Sequence, residues 1–364
     1  MKIKELTNYI EVLAPLAYQE SYDNAGLIVG DANTDITGVL ICLDSTEAVI
    51  DEAIAKGCNL VVAHHPIVFK GLKKLNGKNY VERTIIKAIK NDIAIYATHT
   101  NLDSVVGGVN FKISQVLDLQ RVRVLSPKIN SLMKLIVFVP IDSTEAVLAA
   151  LHESGAGVIG NYSHVSFRSE GTGGFRPNDT ANPTIGAANV DEKVRENRVE
   201  VIFPVYLKSQ ILGAMHRSHP YEEVAYDVIL LENQNKEVGS GAIGELAEAM
   251  SEADFLQYLK QRMNVSVIRH TQLLGKPIKK VAVCGGAGGF LLNDAIAQNA
   301  DIFITSDYKY HEFFDADGRT IIADIGHYES EQFTKELLKD YICKKMLNFA
   351  VRLSETHTNP VKYF

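Results

Sequence analysis

Five consecutive segments between Ile36 and Thr100 restrict the fold more than any other part of the chain: ITGVLICLD, STEAVIDEAIAKG, NLVVAHHP, YVERTIIKAIKND and IAIYATHT. β-Branched runs alternate with helical patterns of about a dozen residues, which is the signature of a mostly parallel sheet joined by crossover helices. The texture returns late in the chain, in KKVAVCGGAGGFLLNDAIAQN, ADIFITSD and IIADIGHYESEQFTKELL. In sheets of this kind, sites form beyond the carboxyl ends of the strands.

Between these two stretches the pattern changes. SLMKLIVFVP, DSTEAVLAALHESG, SHVSFRSEG, RVEVIFP, YLKSQILGAMHRSHP and EVAYDVILLE read as β-α-β-β-α-β, the order of a ferredoxin-like unit. The stretch GTGGFRPNDTANPTIGAAN, rich in Gly, Pro and Asn, is expected to be an exposed loop between its halves. The fold class is therefore α/β, a mostly parallel core with crossover helices over residues 1–127 and 238–364, interrupted by a ferredoxin-like insert over residues 128–237.

Chemistry concentrates at the strand ends. His64 and His65 close the run NLVVAHH and are followed by Pro66, which has no backbone donor for a ladder, so the pair is expected just past the strand. The next strand delivers His99, Asn101 and Asp103 to the same edge. Near the end of the chain, His327 and Glu331 stand at i, i+4 on a helix that follows a strand and a glycine, which puts imidazole and carboxylate on one face. Three strand ends thus offer His64, His65, Asp103, His327 and Glu331. Five donors are rich for one ion and suit two divalent metals sharing a carboxylate, with Zn, Fe, Mn, Co and Ni all compatible. Two such ions carry four positive charges, of which Asp103 and Glu331 cancel two, so the site favours a bridging hydroxide or an anionic substrate.

The residues resemble the NIF-three-like family, also known as GTP cyclohydrolase I type 2 homologues. YDNAGLIVG, HHPIVFKGLKKL, YATHTNLDS and IADIGHYESE carry the likeness, and GAGVIGNYSHVSFRSEGTGGFRPNDTANPTIG with SHPYEEVAYDV is similar to the PII/CutA-like insert of its longer members. The resemblance covers nearly the whole chain. It implies a toroidal homohexamer with two metal ions per subunit at the same five residues, and it names hydrolysis of a nucleotide or other phosphorylated or heterocyclic small molecule as the chemistry. The competing class is a non-enzymatic regulatory or metal-handling scaffold.

Other residues receive narrower roles. His311, in SDYKYHEF beyond a strand, is the candidate general acid or base. His99 is a candidate ligand, orienting partner of Asp103 or proton carrier, with orientation of Asp103 favoured over ligation. Asp23 and Asn24 are expected to shape a turn, the alternative being a hydrogen bond to metal-bound water or substrate, and Lys70, Lys73 and Lys74 to be solvated, the alternative being a phosphate contact. CGGAGGFLL lacks the spacing of a dinucleotide fingerprint and reads as a tight turn near the metals. His164, His216 and His219 do not form a metal motif. A net charge of −7 without basic runs argues against nucleic acid and anionic membrane as partners. Four scattered cysteines without a CxxC fit a reducing cytoplasm, and no segment has the length or apolarity of a signal peptide or membrane span.

Overall fold

The computed structural model describes residues 1–345 and 349–364. The chain divides into two compact units, one made of Met1–Ser126 with Val238–Phe364 and the other of Pro127–Glu237. It is a mixed α/β protein.

In the first unit, β1 (Gly26–Val29), β2 (Gly38–Asp44), β3 (Leu60–His65), β4 (Ala94–Ala97) and β15 (Ala350–Leu353) form a sheet in the order β1-β4-β3-β2-β15. All pairs are parallel except β1 with β4. Every residue of GVLICLD except Asp44 is buried, as expected of a parallel strand covered on both faces. Each such Val, Leu or Ile contributes about 1.5–3 kcal/mol of apolar burial. The crossover helices Glu47–Ala55 and Tyr80–Lys90 start where Thr46 and Asn79 accept hydrogen bonds from the backbone N–H of Val49 and Glu82.

The second sheet contains β5 (Gln120–Lys128), β10 (Asn235–Met250), β11 (Arg269–His270), β12 (Ile278–Ala287), β13 (Ile302–Ser306) and β14 (Ile321–Asp324) in the order β11-β14-β13-β12-β10-β5. Its centre, β12-β13-β14, is parallel. One apolar core, including Ile41, Val62, Tyr96, Val283, Ile304 and Ala323, draws on strands of both sheets.

The other unit contains β6 (Leu132–Pro140), β7 (Phe167–Phe175), β8 (Glu192–Pro204) and β9 (Tyr226–Leu231), an antiparallel sheet in the order β7-β8-β6-β9. The helices Thr144–Glu153 and Lys208–Ser218 complete an element order of β-α-β-β-α-β. The Gly-rich segment expected to be loop from Gly171 instead stays in β7 as far as Phe175, because the long β8 supplies a ladder out to the Phe175–Glu192 pair. Among the described residues no helix is long and apolar enough to cross a membrane.

Candidate metal centre

His64 and His65 are the last two residues of β3 rather than the first beyond it, since β2 keeps pairing as far as Asp44 opposite His65. The buried His64 turns Nδ1 to the Thr98 carbonyl at 2.8 Å, and the partly buried His65 turns Nδ1 to Asp44 Oδ1 at 2.8 Å. β4 then ends, and the short helix Thr100–Asp103 carries Asp103. On the other sheet, Gly326 at φ 92 allows the turn from β14 into the helix His327–Glu331. His327 gives Nδ1 to Asp307 Oδ2 at 2.6 Å. All three imidazoles are therefore held through Nδ1, which leaves Nε2 facing the same space.

Glu331, 3% exposed, stands between them. Its Oε1 lies 3.7 Å from His64 Nε2, and its Oε2 lies 2.9 Å from His65 Nε2 and 3.3 Å from His327 Nε2. Asp103 Oδ1 is 3.6 Å from His64 Nε2. The donors group into two triads that share Glu331: His64 with Asp103 and Glu331, and His65 with His327 and Glu331. The five residues singled out from the sequence are thus brought together.

The donor set fits a cation. His64 Nε2 and Asp103 Oδ1 are buried and have no hydrogen-bond partner, an arrangement that costs free energy unless something else satisfies them. Separations of 3.3 to 3.7 Å are long for hydrogen bonds. They match the edge of about 3.4 Å expected between ligands of a tetrahedral ion with bonds of about 2.1 Å. The His65 and His327 Nε2 atoms likewise face each other at 3.4 Å.

The field of the carboxylates shows in the proton equilibria. Burial pushes Asp103 up to about 8, helped by the Glu331 charge beside it. Glu331 is also buried, but the imidazoles of His64, His327 and His65 hold it well below the ordinary range. Burial opposes charge on His65 and His327, yet Asp44 and Glu331 raise the first to about 9, and Asp307 and Glu331 raise the second to about 11. A site that retains protons this firmly without metal has the charge to retain a cation in their place.

Gly285 and Gly286 make room for Glu331. Gly286 has φ +63, and a Cβ there would come 2.5 Å from Glu331 Oε1. Its N–H is received by Ser330 Oγ at 2.9 Å, while its carbonyl accepts the hydroxyls of Thr305 and Ser306 at 3.0 and 2.7 Å. The glycine run is a tight turn that forms a wall beside Glu331.

A cavity of about 1200 Å³ opens over the donors and is lined by His99, Arg269 and Tyr328 among others. His99 gives Nδ1 to Asp23 Oδ1 at 2.8 Å, which also receives help from Thr100 in holding Asp23 down at about 2 against its burial. Asn24 donates to the Val68 carbonyl, pinning the turn after the histidine pair. Arg269 is bound to Asp324 and to the Tyr308 carbonyl. The tail after β15 forms another wall: Glu52 accepts from Ser354, Glu355 and Thr356, Thr358 donates to Asp44, and Asn359 to Glu329.

His311 is not brought to this cavity. Asp307 adopts φ 60, Tyr308 turns back into the core, and the 3-10 segment Tyr310–Ala316 places His311 against Tyr310 and Phe314. Lys70, Lys73 and Lys74 are exposed. His219 fixes a turn, donating from Nε2 to the Phe138 carbonyl and accepting the Tyr221 N–H. Cys42, Cys58 and Cys284 are buried free thiols, and Cys343 is a partly buried one. Asp44 was missed from sequence, although it closes LICLD at the same sheet edge as the histidines and so carried the same strand-end signal.

The family model described as Duf34/NIF3 (NGG1p interacting factor 3) matches residues 1–360. A Bacillus subtilis strain 168 protein named GTP cyclohydrolase 1 type 2 homolog is 39% identical, covering 99% of this chain and 98% of that one. A Staphylococcus aureus strain N315 protein with the same name is 35% identical over 100% of both. The crystal structure of a Bacillus cereus protein related to NIF3 superposes with a TM-score of 0.85 at 39% identity, covering 100% of this chain and 99% of that chain.

Proposed function

The chain belongs to the Duf34/NIF3 family, and from that premise we propose that it is a dinuclear metal-dependent hydrolase acting on a nucleotide or another phosphorylated or heterocyclic small molecule. The observation that carries this reading is the pair of donor triads sharing Glu331, with one carboxylate oxygen turned to each. His64, Asp103 and Glu331 would hold one divalent ion, and His65, His327 and Glu331 the other. When bound, such ions supply Lewis-acid polarisation and acidify water.

The remaining tasks fall to the protein's own groups. Thr98, Asp44 and Asp307 fix the ring tautomers so that each Nε2 stays an acceptor. His99, oriented by Asp23, is the group placed to move a proton at the cavity wall, the role first assigned to His311. Arg269 is oriented by Asp324 to receive an anionic group. The relatives' shared name, GTP cyclohydrolase 1 type 2 homolog, agrees with a purine nucleotide as one member of the substrate class. The unit Pro127–Glu237 is read as a ferredoxin-like insert on its strand order, and the assembly as a toroidal homohexamer.

The test is metal content by mass spectrometry of protein purified without added metal, for wild type and His65→Ala. Close to two transition-metal ions per chain, falling to about one or fewer in the variant, supports the reading. Little metal in the wild type after reconstitution overturns it. A nucleotide turnover screen with the metal found then separates a hydrolase from a binding scaffold, with Glu331→Gln as the inactive control.

A further inference from the structure

The unit Pro127–Glu237 has a second cavity, of about 690 Å³, that plays no part in the metal chemistry. Its chemistry centres on Glu196 of β8, which is 7% exposed and lines the cavity. A carboxylate so buried ordinarily has a cation or several donors on it. Among the described residues no lysine or arginine pairs with Glu196. The nearby arginines are engaged elsewhere: Arg198 with Glu200, Arg195 with Glu170, and Arg176 with both oxygens of Asp191.

Three further features define what fits there. Gly173 of β7 lies against the carboxylate, and any Cβ at that position would sit on its oxygens, so bare backbone forms a flat surface beside the acid. Tyr221 Oη lines the same cavity, is buried, and lies beside the Glu196 carboxylate, whose charge adds to burial in raising its pKa. The rings of Phe175 and Tyr221 meet edge to face at 6.0 Å and form an aromatic wall.

A carboxylate with two oxygens available is matched by a planar group offering two parallel N–H donors. Such a group also lies well against flat backbone and aromatic rings. We propose that this cavity binds a small molecule through a planar edge with two adjacent N–H donors, received by Glu196 and supported by the Tyr221 hydroxyl. Two sources present that edge, the guanidinium of an arginine-like amine and the N1–H, N2–H edge of a guanine base. Residues 176–185 form one side of the cavity, and this segment is held there by Asn182 N–H to Glu222 and Thr184 to the Pro220 carbonyl.

The test uses full-length protein and isothermal titration with agmatine and, separately, guanosine. One of the two is expected to bind at one per chain, with affinity falling at least tenfold in Glu196→Gln, about 1.4 kcal/mol. Loss of agmatine binding in the variant assigns a guanidinium ligand, and loss of guanosine binding assigns a guanine base. Tyr221→Phe, which removes only the hydroxyl, is expected to weaken the same ligand several-fold and stands in where Glu196→Gln does not fold. No binding of either compound at millimolar concentration, or equal binding in folded Glu196→Gln, overturns the proposal. His65→Ala is expected to bind the ligand as wild type does; binding abolished there alone places the ligand at the metal centre and also overturns it.

Discussion

Glu331 addresses His64 with one carboxylate oxygen and His65 with the other, at 3.7 and 2.9 Å. Two adjacent residues of one strand are thereby tied to a single acid from a helix more than 260 positions later. Neither donor triad is complete without it.

Glu331→Gln is therefore expected to deplete both positions, not one. The amide has a single oxygen to offer and an NH₂ where the other ion would bind. Metal analysis should give fewer than one ion per chain, whereas Asp103→Asn should retain the ion held by His65 and His327. Retention of two ions in Glu331→Gln would count against a shared ligand.

Gly286→Ala tests the wall behind that acid. The new Cβ meets Oε1 at 2.5 Å in a left-handed backbone conformation, so both sterics and strain oppose it. A loss of about 1–3 kcal/mol in denaturant unfolding is expected, together with weaker metal retention. A variant as stable and as metal-rich as wild type would show that the carboxylate has space to withdraw.

Asp44→Asn leaves every ligand in place and removes only the charge that holds His65 Nδ1. Metal affinity is expected to fall about 10- to 100-fold with little change in fold stability. Competition against a chelator measures it, and unchanged affinity would reduce Asp44 to a bystander.

Metal affinity should rise with pH. In the metal-free protein His65 and His327 keep their protons to about 9 and about 11, so binding near neutral pH must expel them. Each proton released steepens log K by one per pH unit, which predicts a slope approaching two below pH 9 for the position of His65 and His327, and a further slope of one below about pH 8 for the position of Asp103, which then carries a proton as well. Titrations against a chelator at pH 6 to 8.5 read it directly; a flat profile would mean that the imidazoles are already neutral.

A stability effect is expected away from the donor triads. Glu52, held down to about 2 from an ordinary 4.5 by Lys56, Ser354, Thr356 and the Glu355 N–H despite the opposing effect of burial, anchors the tail. Because its folded value is depressed, its contribution is full above about pH 4.5 and disappears as pH falls toward 2. Glu52→Gln should cost roughly 1–2 kcal/mol at pH 7, after allowance for water around the group, and nothing near pH 2. Urea unfolding at both values distinguishes this from a pH-independent packing loss.

The convergence of the five donors was legible in the sequence because each follows or closes a β-branched run or sits at i, i+4 behind one, and the pattern of parallel strands sends such residues to one edge. Their supports were less legible. Asp44 reaches His65 only through the register of β2 on β3, and Asp307 reaches His327 only because a left-handed residue ends β13. Such positions depend on strand alignment and single backbone angles, neither of which hydrophobic periodicity encodes. His311 illustrates the same limit, since the turn at Asp307 that aims its carboxylate inward sends the following segment outward.

The tail beyond β15 supplies a wall of the cavity without supplying a ligand. A protease that cut this chain just after Thr356 would leave all five donors in place and yet widen the mouth, freeing Asp44 from Thr358 and Glu329 from Asn359. The donors and the wall of the cavity can therefore be separated by a single nick, so that on the proposed reading what the cavity admits changes without a change in the residues that would hold metal.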